Sequence, residues 1–280
     1  MKKMFMAVIA LMMTISASAQ FYIYCSDGNV IKVDSISLVA PESPDLSTGI
    51  GAFSVSADKQ VTFSKGNLQY HPANNVWQFA ANQTDYIGDA NANISSTYNG
   101  WLDLFGWGTG DCPTKASEDY TDYPTFVDWG TNKIGNDAPN TWRTLTYDEW
   151  HYLLHNRNNA SSLCGAAQVN GVNGLIFLPD NWTCPAGVTF KSGFHSDYGL
   201  FQTFTADQWS KLEKSGAVFL PAAGTRSGSN VGNVQYYGSY WSATEDGSDL
   251  ADYLLFYSGR AYMNLGSRNG ARSVRLVKDL

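Results

Sequence analysis

Apolar and polar residues alternate with a period of two in many short stretches of this chain, the pattern of half-buried strands, and a helical period stands out at two places. Near the start, Met4 to Ile15 is a short apolar run behind Lys2 and Lys3, closed by Ala17-Ser18-Ala19. It is too short for a membrane span and has the layout of a secretory signal, so residues 1–19 are expected to be cleaved on export. Phe21, Ile23 and Cys25 then alternate with Tyr22 and Tyr24, Asp27-Gly28 supplies a hairpin turn, and Val30 to Val33 runs back. Residues 20–39 are therefore predicted as a β-hairpin segment, too small to be stable alone. The polar stretch 40–49, with Pro41 and Pro44, reads as a linker, which leaves residues 50–280 as the main domain.

In that domain "AFSVSADKQVTFS" alternates on both sides of Ala57-Asp58, and "NLQYHPANNVWQFA" gives two short strands around Pro72 to Asn75. "GWLDLFGWGTG" sets Trp101, Leu104, Phe105 and Trp107 among glycines, which predicts a buried irregular loop. Residues 111–140 show no period, and a loop of that length needs a functional or stapling reason. The first helix follows in "TLTYDEWHYLLHNR": Thr146 caps it, Glu149 completes a capping box, and Trp150, Leu153 and Leu154 form its apolar face. The second, "TFTADQWSKLEKSG", repeats that grammar with Thr205, Gln208, Trp209 and Leu212, and stops at Gly216. Strands are expected in "GLIFLPDNW", "AVFLPAAGTRSG", "GSYWSAT", "DYLLFY", "AYMNL" and "SVRLVK". Strands, two helices and strands again predict the α+β class.

Composition narrows the function. In 280 residues, 44% are hydrophobic and 15% charged, which supports a packed core and argues against disorder. Loss of Lys2 and Lys3 with the signal would take the net charge from −7 to −9. With no basic run, neither nucleic acid nor an anionic membrane surface is an expected partner. No later apolar run is long enough for membrane insertion. Four cysteines, Cys25, Cys112, Cys164 and Cys184, allow three full pairings. Cys164 with Cys184 is the favoured pair, as the closest in the chain, against unpaired buried thiols. Their spacing fits no zinc ribbon, and no metal site is expected from four scattered histidines.

The densest candidate chemistry lies at the end, in "ADYLLFYSGRAYMNLGSRNGARSVRLVKDL". Alternation puts Leu254, Phe256, Ala261, Met263 and Leu265 on a core face. It puts Tyr253, Tyr257, Arg260, Tyr262 and Asn264 on the other. Tyrosine gives large rigid contacts at low entropy cost, Ser, Gly and Asn adapt by hydrogen bonding, and Arg and Tyr are enriched in binding hot spots. The same residues would also suit an ordinary exposed sheet face, since Tyr favours strands. Glu245, Asp246, Asp249 and Asp252 could offer oxygen ligands to calcium, or form a solvated acidic turn. His151 and His155 share a helix face without an H-E-x-x-H motif, and read as helix-end histidines. Arg226 could serve the core network or meet a ligand anion, and the structural reading is favoured. No phosphate-binding loop, dinucleotide fingerprint or G-x-S-x-G nucleophile motif occurs.

Four pieces, "TWRTLTYDEWHYLL", "VFLPAAGTRSG", "GSYWSAT" and "GARSVRLVK", resemble C-type-lectin-fold domains of the Fibrobacter succinogenes major paralogous type, found in exported Bacteroidetes proteins and distantly related to formylglycine-generating enzymes. The likeness runs from Phe53 to Lys278. It implies a C-type lectin fold: two helices with an irregular, mostly antiparallel sheet, preceded here by the N-terminal hairpin. The related enzymes use a late pair of cysteines, and none follows Cys184, so no catalytic residue is assigned. The triplets E-P-N, Q-P-D and W-N-D of calcium-dependent sugar binding are missing, so no cofactor is expected. In retroelement-diversified members of the fold, the variable positions occupy this last stretch, and the residues from Gly238 to Arg272 have that mixture. Ligand-binding positions are accordingly expected at Tyr240, Trp241, Tyr253, Tyr257, Arg260, Tyr262, Asn264, Arg268 and Asn269. The resulting expectation is a non-catalytic protein exported across the inner membrane to the periplasm, cell surface or medium, which binds an extracellular protein or glycan. The alternatives are a structural surface or fimbria-associated subunit, or a formylglycine-generating-like enzyme.

Overall fold

Period-two segments become strands and the two capped segments become helices in the computed structural model, which describes residues 51–280 and the strands Phe21–Tyr24 and Val30–Val33. The chain parts into two compact units, residues 1–45 and 46–280. In the first, β1 (Phe21–Tyr24) and β2 (Val30–Val33) pair antiparallel, with Phe21 opposite Val33 and Tyr24 opposite Val30. The signal segment 1–19, the Asp27-Gly28 turn, Cys25 and the linker 40–49 lie outside the described residues.

The second unit begins with β3 (Phe53–Ser54), β4 (Gln60–Phe63), β5 (Leu68–His71) and β6 (Val76–Phe79). Next come α1 (Tyr147–His151), β7 (Cys164–Val169), β8 (Val172–Phe177), α2 (Tyr198–Phe201), β9 (Thr203–Phe204) and α3 (Ala206–Lys214). It ends with β10 (Val218–Pro221), β11 (Thr225–Ser227), β12 (Asn230–Gly232), β13 (Gly238–Asp246), β14 (Leu250–Tyr257), β15 (Arg260–Ser267) and β16 (Val277–Asp279). The class is α+β, mostly sheet with a few short helices, and among the described residues no sheet closes into a barrel. The strands do not form one sheet. They fall into small separate sheets, all antiparallel except for the parallel pairing of β7 with β9.

Local chemistry explains the helices. Thr146 Oγ1 accepts from Glu149 N, and Glu149 Oε2 accepts from Thr146 N at 3.0 Å. Thr205 and Gln208 repeat the exchange at α3. After α1 the chain makes one π-helical turn over Tyr152–Asn156, still burying Leu153 and Leu154. Gly216, at φ +92°, ends the α3 region in a conformation that favours glycine. The four-residue α2, capped by Asp197, carries too few residues for periodicity to reveal it.

Three apolar clusters make the core. Trp150 packs with Phe53, Phe63, Phe177, Leu254 and Phe256. Trp241 packs with Trp77, Phe105, Trp107, Trp129 and Tyr253. Trp209 packs with Ile176, Leu212 and Phe219. "GWLDLFGWGTG" is the buried irregular loop that its glycines and aromatics predict, and residues 111–140 hold only two short 3-10 turns. That long loop is stapled: Asp128 accepts from Gly130 N and from Thr144 N and Oγ1, and Trp129 is fully buried.

Two interior features were not foreseen. The favoured Cys164–Cys184 disulfide is not formed: Cys112, Cys164 and Cys184 are free, because Cys164 sits inside on β7 while Cys184 lies on an exposed loop. Asp103 is fully buried, accepting from Asn91 Nδ2 at 2.8 Å and Ile87 N at 2.9 Å. Burial outweighs these donors and pushes its carboxyl up to about 6. Between its ordinary value and about 6, the folded state binds the proton more tightly than the unfolded one. The stability from this proton is complete at low pH and is lost as pH rises through that window, by up to about 3 kcal/mol. Denaturant titrations from pH 4 to 7, roughly spanning that window, should show this decline in the native chain and a flatter profile in Asp103→Asn.

Candidate functional site

β13, β14 and β15 form a three-stranded antiparallel sheet in that order. Ser239 faces Leu255, Trp241 faces Tyr253, Leu255 faces Tyr262, Tyr253 faces Asn264 and Tyr257 faces Arg260. Directly opposed residues share a face, so alternation places all of these on one side and Tyr240, Leu254, Phe256, Ala261 and Met263 on the other. The second side packs into the Trp150 cluster. Leu265 shares its parity but is 44% exposed, because it lies opposite Asp252, beyond the edge of that cluster.

The first side is divided. One half is covered by distant loops. Trp241 is 1% exposed and its Nε1 donates to Phe105 O at 2.7 Å; Tyr253 is 8% exposed. The Arg272 guanidinium lies 4.1 Å from the Trp241 ring centroid and 4.0 Å from that of Tyr253. It donates to Ser267 O and Gly270 O and has no carboxylate partner among the described residues, and burial lowers its pKa. Aromatic faces thus stand where a counter-ion would.

The other half is open. Tyr257, Tyr262 and Asn264 are half-buried and Arg260 is exposed. Arg260 lies 4.2 Å over the Tyr262 ring and 5.7 Å from that of Tyr257. Tyr257 meets Tyr237 edge to face at 5.9 Å, and Tyr237 meets Tyr236 at 4.5 Å. Asn264 Nδ2 donates to Tyr253 Oη at 2.9 Å, joining the open half to the covered one. A groove of about 400 Å³ runs alongside, walled by Tyr237, Ser239, Tyr253, Leu255, Asn233 and Arg272. The result is a chain of four tyrosines and one arginine whose rings brace one another.

Of the nine expected ligand-binding positions, Tyr257, Arg260, Tyr262 and Asn264 lie together on this open face. Tyr240 does not: it is on the core side, fully buried, with Oη accepting from Asn67 Nδ2 and donating to Pro221 O. Trp241 and Tyr253 share the parity of the open face but are covered as described. Arg268 is 2% exposed, lies 4.3 Å from the Trp107 ring, donates to the carbonyls of Tyr123, Pro124 and Leu250, and pairs with Glu245 at 3.0 Å. It staples the long loop to the sheet. Asn269 is half-buried and its Nδ2 donates to Glu118 O. Tyr236 and Tyr237 were missed. They precede β13 in "QYYGSYW", outside any alternating run, and only their aromatic density could have marked them.

The remaining candidates also have positions. Arg226 is 2% exposed and donates to Leu104 O and Gly228 O, as a structural residue does. The His151 and His155 rings lie 4.9 Å apart; burial, then His151, lowers the His155 pKa. Among the described residues, no group of three or more His, Cys, Asp or Glu is placed to hold a metal ion, and no helix is long and apolar enough to cross a membrane. No family model, curated protein or solved structure matches the chain.

Proposed function

We propose that this chain is an exported, non-catalytic binding protein of the C-type lectin fold, and that it meets an extracellular protein or glycan with Tyr236, Tyr237, Tyr257, Arg260 and Tyr262. The contiguous, mutually braced Tyr–Arg ladder carries this reading. Tyr, packed edge to face, keeps few rotamers to lose on contact, and a fixed sheet beneath it lowers the ordering cost of binding. The fold reading is supported by the α+β class, by the capping box of Thr146 and Glu149 falling within a motif that carries the resemblance, and by the C-terminal three-stranded sheet. The non-catalytic reading rests on the lack of any cysteine after Cys184, where the related enzymes need theirs.

The test is capture from extracellular glycan and protein arrays. The native chain should retain a ligand that Tyr257→Ala/Arg260→Ala/Tyr262→Ala binds about 100-fold more weakly. Melting temperature should change little, since Arg260 is exposed and both tyrosines keep part of their surface in water. Equal capture by the two proteins would remove the open face from the reading.

A further inference from the structure

The groove of about 400 Å³ beside the tyrosine ladder carries charge of one sign only. In a chain with 25 acidic and 18 basic residues, its walls hold two arginines, Arg226 and Arg272, and among the described residues no carboxylate. The polar lining is otherwise neutral: Thr225, Ser227, Ser239 and Asn233, besides Tyr237 and Tyr253. Local pairing builds this wall. Arg226 lies opposite Val231 in the β11–β12 hairpin and exchanges backbone hydrogen bonds with Ala271, which brings Arg272 to the same place.

Both guanidiniums are interior: Arg226 is 2% exposed and Arg272 is 8% exposed. Their Nη atoms donate to backbone carbonyls alone, Leu104 O and Gly228 O for Arg226, Ser267 O and Gly270 O for Arg272. In each, Nε is sealed in the interior with no acceptor. Glu118 comes close to Gly228, yet among the described residues neither arginine joins an ion pair. Carbonyls and aromatic faces orient a guanidinium without neutralising it, and burial lowers the pKa of both. Two desolvated charges of one sign at a single groove are costly, and an anion placed there would offset that cost. Ser239 adds a donor. It is 2% exposed, its place opposite Leu255 turns it to the tyrosine side, and its hydroxyl has no partner among the described residues.

An anion in this groove must bring a body that suits the other walls. Hydroxyl and amide groups outnumber the apolar contacts of Leu255 and Ala271, and each both donates and accepts. That lining matches the hydroxyls of a sugar better than the carbon of a side chain, and Tyr237 and Tyr253 offer aromatic surface to a sugar's apolar face. We infer that this groove takes an acidic sugar residue, its carboxylate or sulfate held by Arg226, Arg272 and the Ser239 hydroxyl. A guanidinium fork suits either oxyanion. The inference rests on the proposed binding role and narrows its ligand to an acidic glycan.

Calorimetric titration of the purified chain with glucuronic acid and with sulfated N-acetylglucosamine tests this. N-acetylglucosamine is the uncharged control, and N-acetylglutamate amide stands for an acidic peptide. Saturable binding of at least one acidic sugar, at least about tenfold tighter than either control, is the expected result. The tighter of the two sugars identifies the anion as carboxylate or sulfate. Ser227→Glu sets a carboxylate at an exposed point of the wall, and should weaken binding at least about tenfold with little change in melting temperature. Ser239→Ala should weaken it by roughly tenfold, the worth of one hydrogen bond to a charged group. No saturable binding of either acidic sugar would overturn the inference. So would equal binding of the uncharged sugar, tighter binding of the glutamate amide, or unchanged affinity in both variants. The tyrosine face stands or falls separately, by array capture with Tyr257→Ala/Arg260→Ala/Tyr262→Ala, whose substitutions leave the groove walls intact.

Discussion

Trp150→Ala should cost the domain about 3–5 kcal/mol, the range for removing a large aromatic side chain from a packed core. Trp150 is fully buried on the first turns of α1. Its ring centroid lies 5.8 Å from that of Phe63 and 6.3 Å from that of Phe177, so it joins the β3–β4–β16 sheet to the β7–β8 hairpin. Its Nε1 donates to Trp241 O at 3.4 Å, so the truncation also frees a buried carbonyl on β13. Neither sheet can collapse into the space without pulling away from its own ladder. For a domain of this size the loss corresponds to a fall in melting temperature of roughly 10 °C. A thermal melt read by near-ultraviolet circular dichroism checks it. A fall of only a degree or two would show that the three clusters can re-close around the gap.

Arg272→Ala should cost about 3 kcal/mol, through two desolvated cation–π contacts and the packing of the side chain's stem. Arg272→Lys should recover less than half of that. An ammonium cannot lie flat against Trp241 and Tyr253 while also reaching Ser267 O and Gly270 O. The same geometry explains Gly266 opposite Ala251: a Cβ there would stand 2.0 Å from Arg272 Nη2. Gly266→Ala should therefore be damaging in the native chain and less so beside Arg272→Ala, which leaves only the approach to Tyr253 Cε1 at 2.8 Å. Denaturant midpoints of the two single variants and the double variant measure that coupling directly.

What could be read from the chain was what neighbours in sequence decide. Both capping boxes, the hairpin pairing of β5 with β6 across Pro72 to Asn75, and the parity of β14 and β15 involve residues a few positions apart. What stood out of reach was cover. Nothing in "GSYWSAT" tells Trp241 from an outward tyrosine; Phe105, 136 positions away, supplies the carbonyl that buries it. Arg268 has the composition of a contact residue, and only Tyr123 and Pro124, about 145 positions away, turn it inward. Cys164 and Cys184 are near in sequence but belong to different environments, interior strand and surface loop. Tyr236 and Tyr237 reach the open face through a turn of the chain that has no period. Asp252 follows the alternation faithfully, and its oddity is that the core ends before the strand does.

The division of labour along β14 and β15 has a further effect. Leu254, Phe256 and Met263 hold the hairpin to the core, and Trp241, Tyr253 and Arg272 lock its far end. The outward positions at Tyr257, Arg260 and Tyr262 therefore carry little of the fold's stability. On the proposed binding role, recognition and folding would occupy alternate letters of the same short segment. A designer can rewrite the outward set while leaving the inward set untouched, so this hairpin is a place where surface chemistry can be varied at small risk to the fold that bears it.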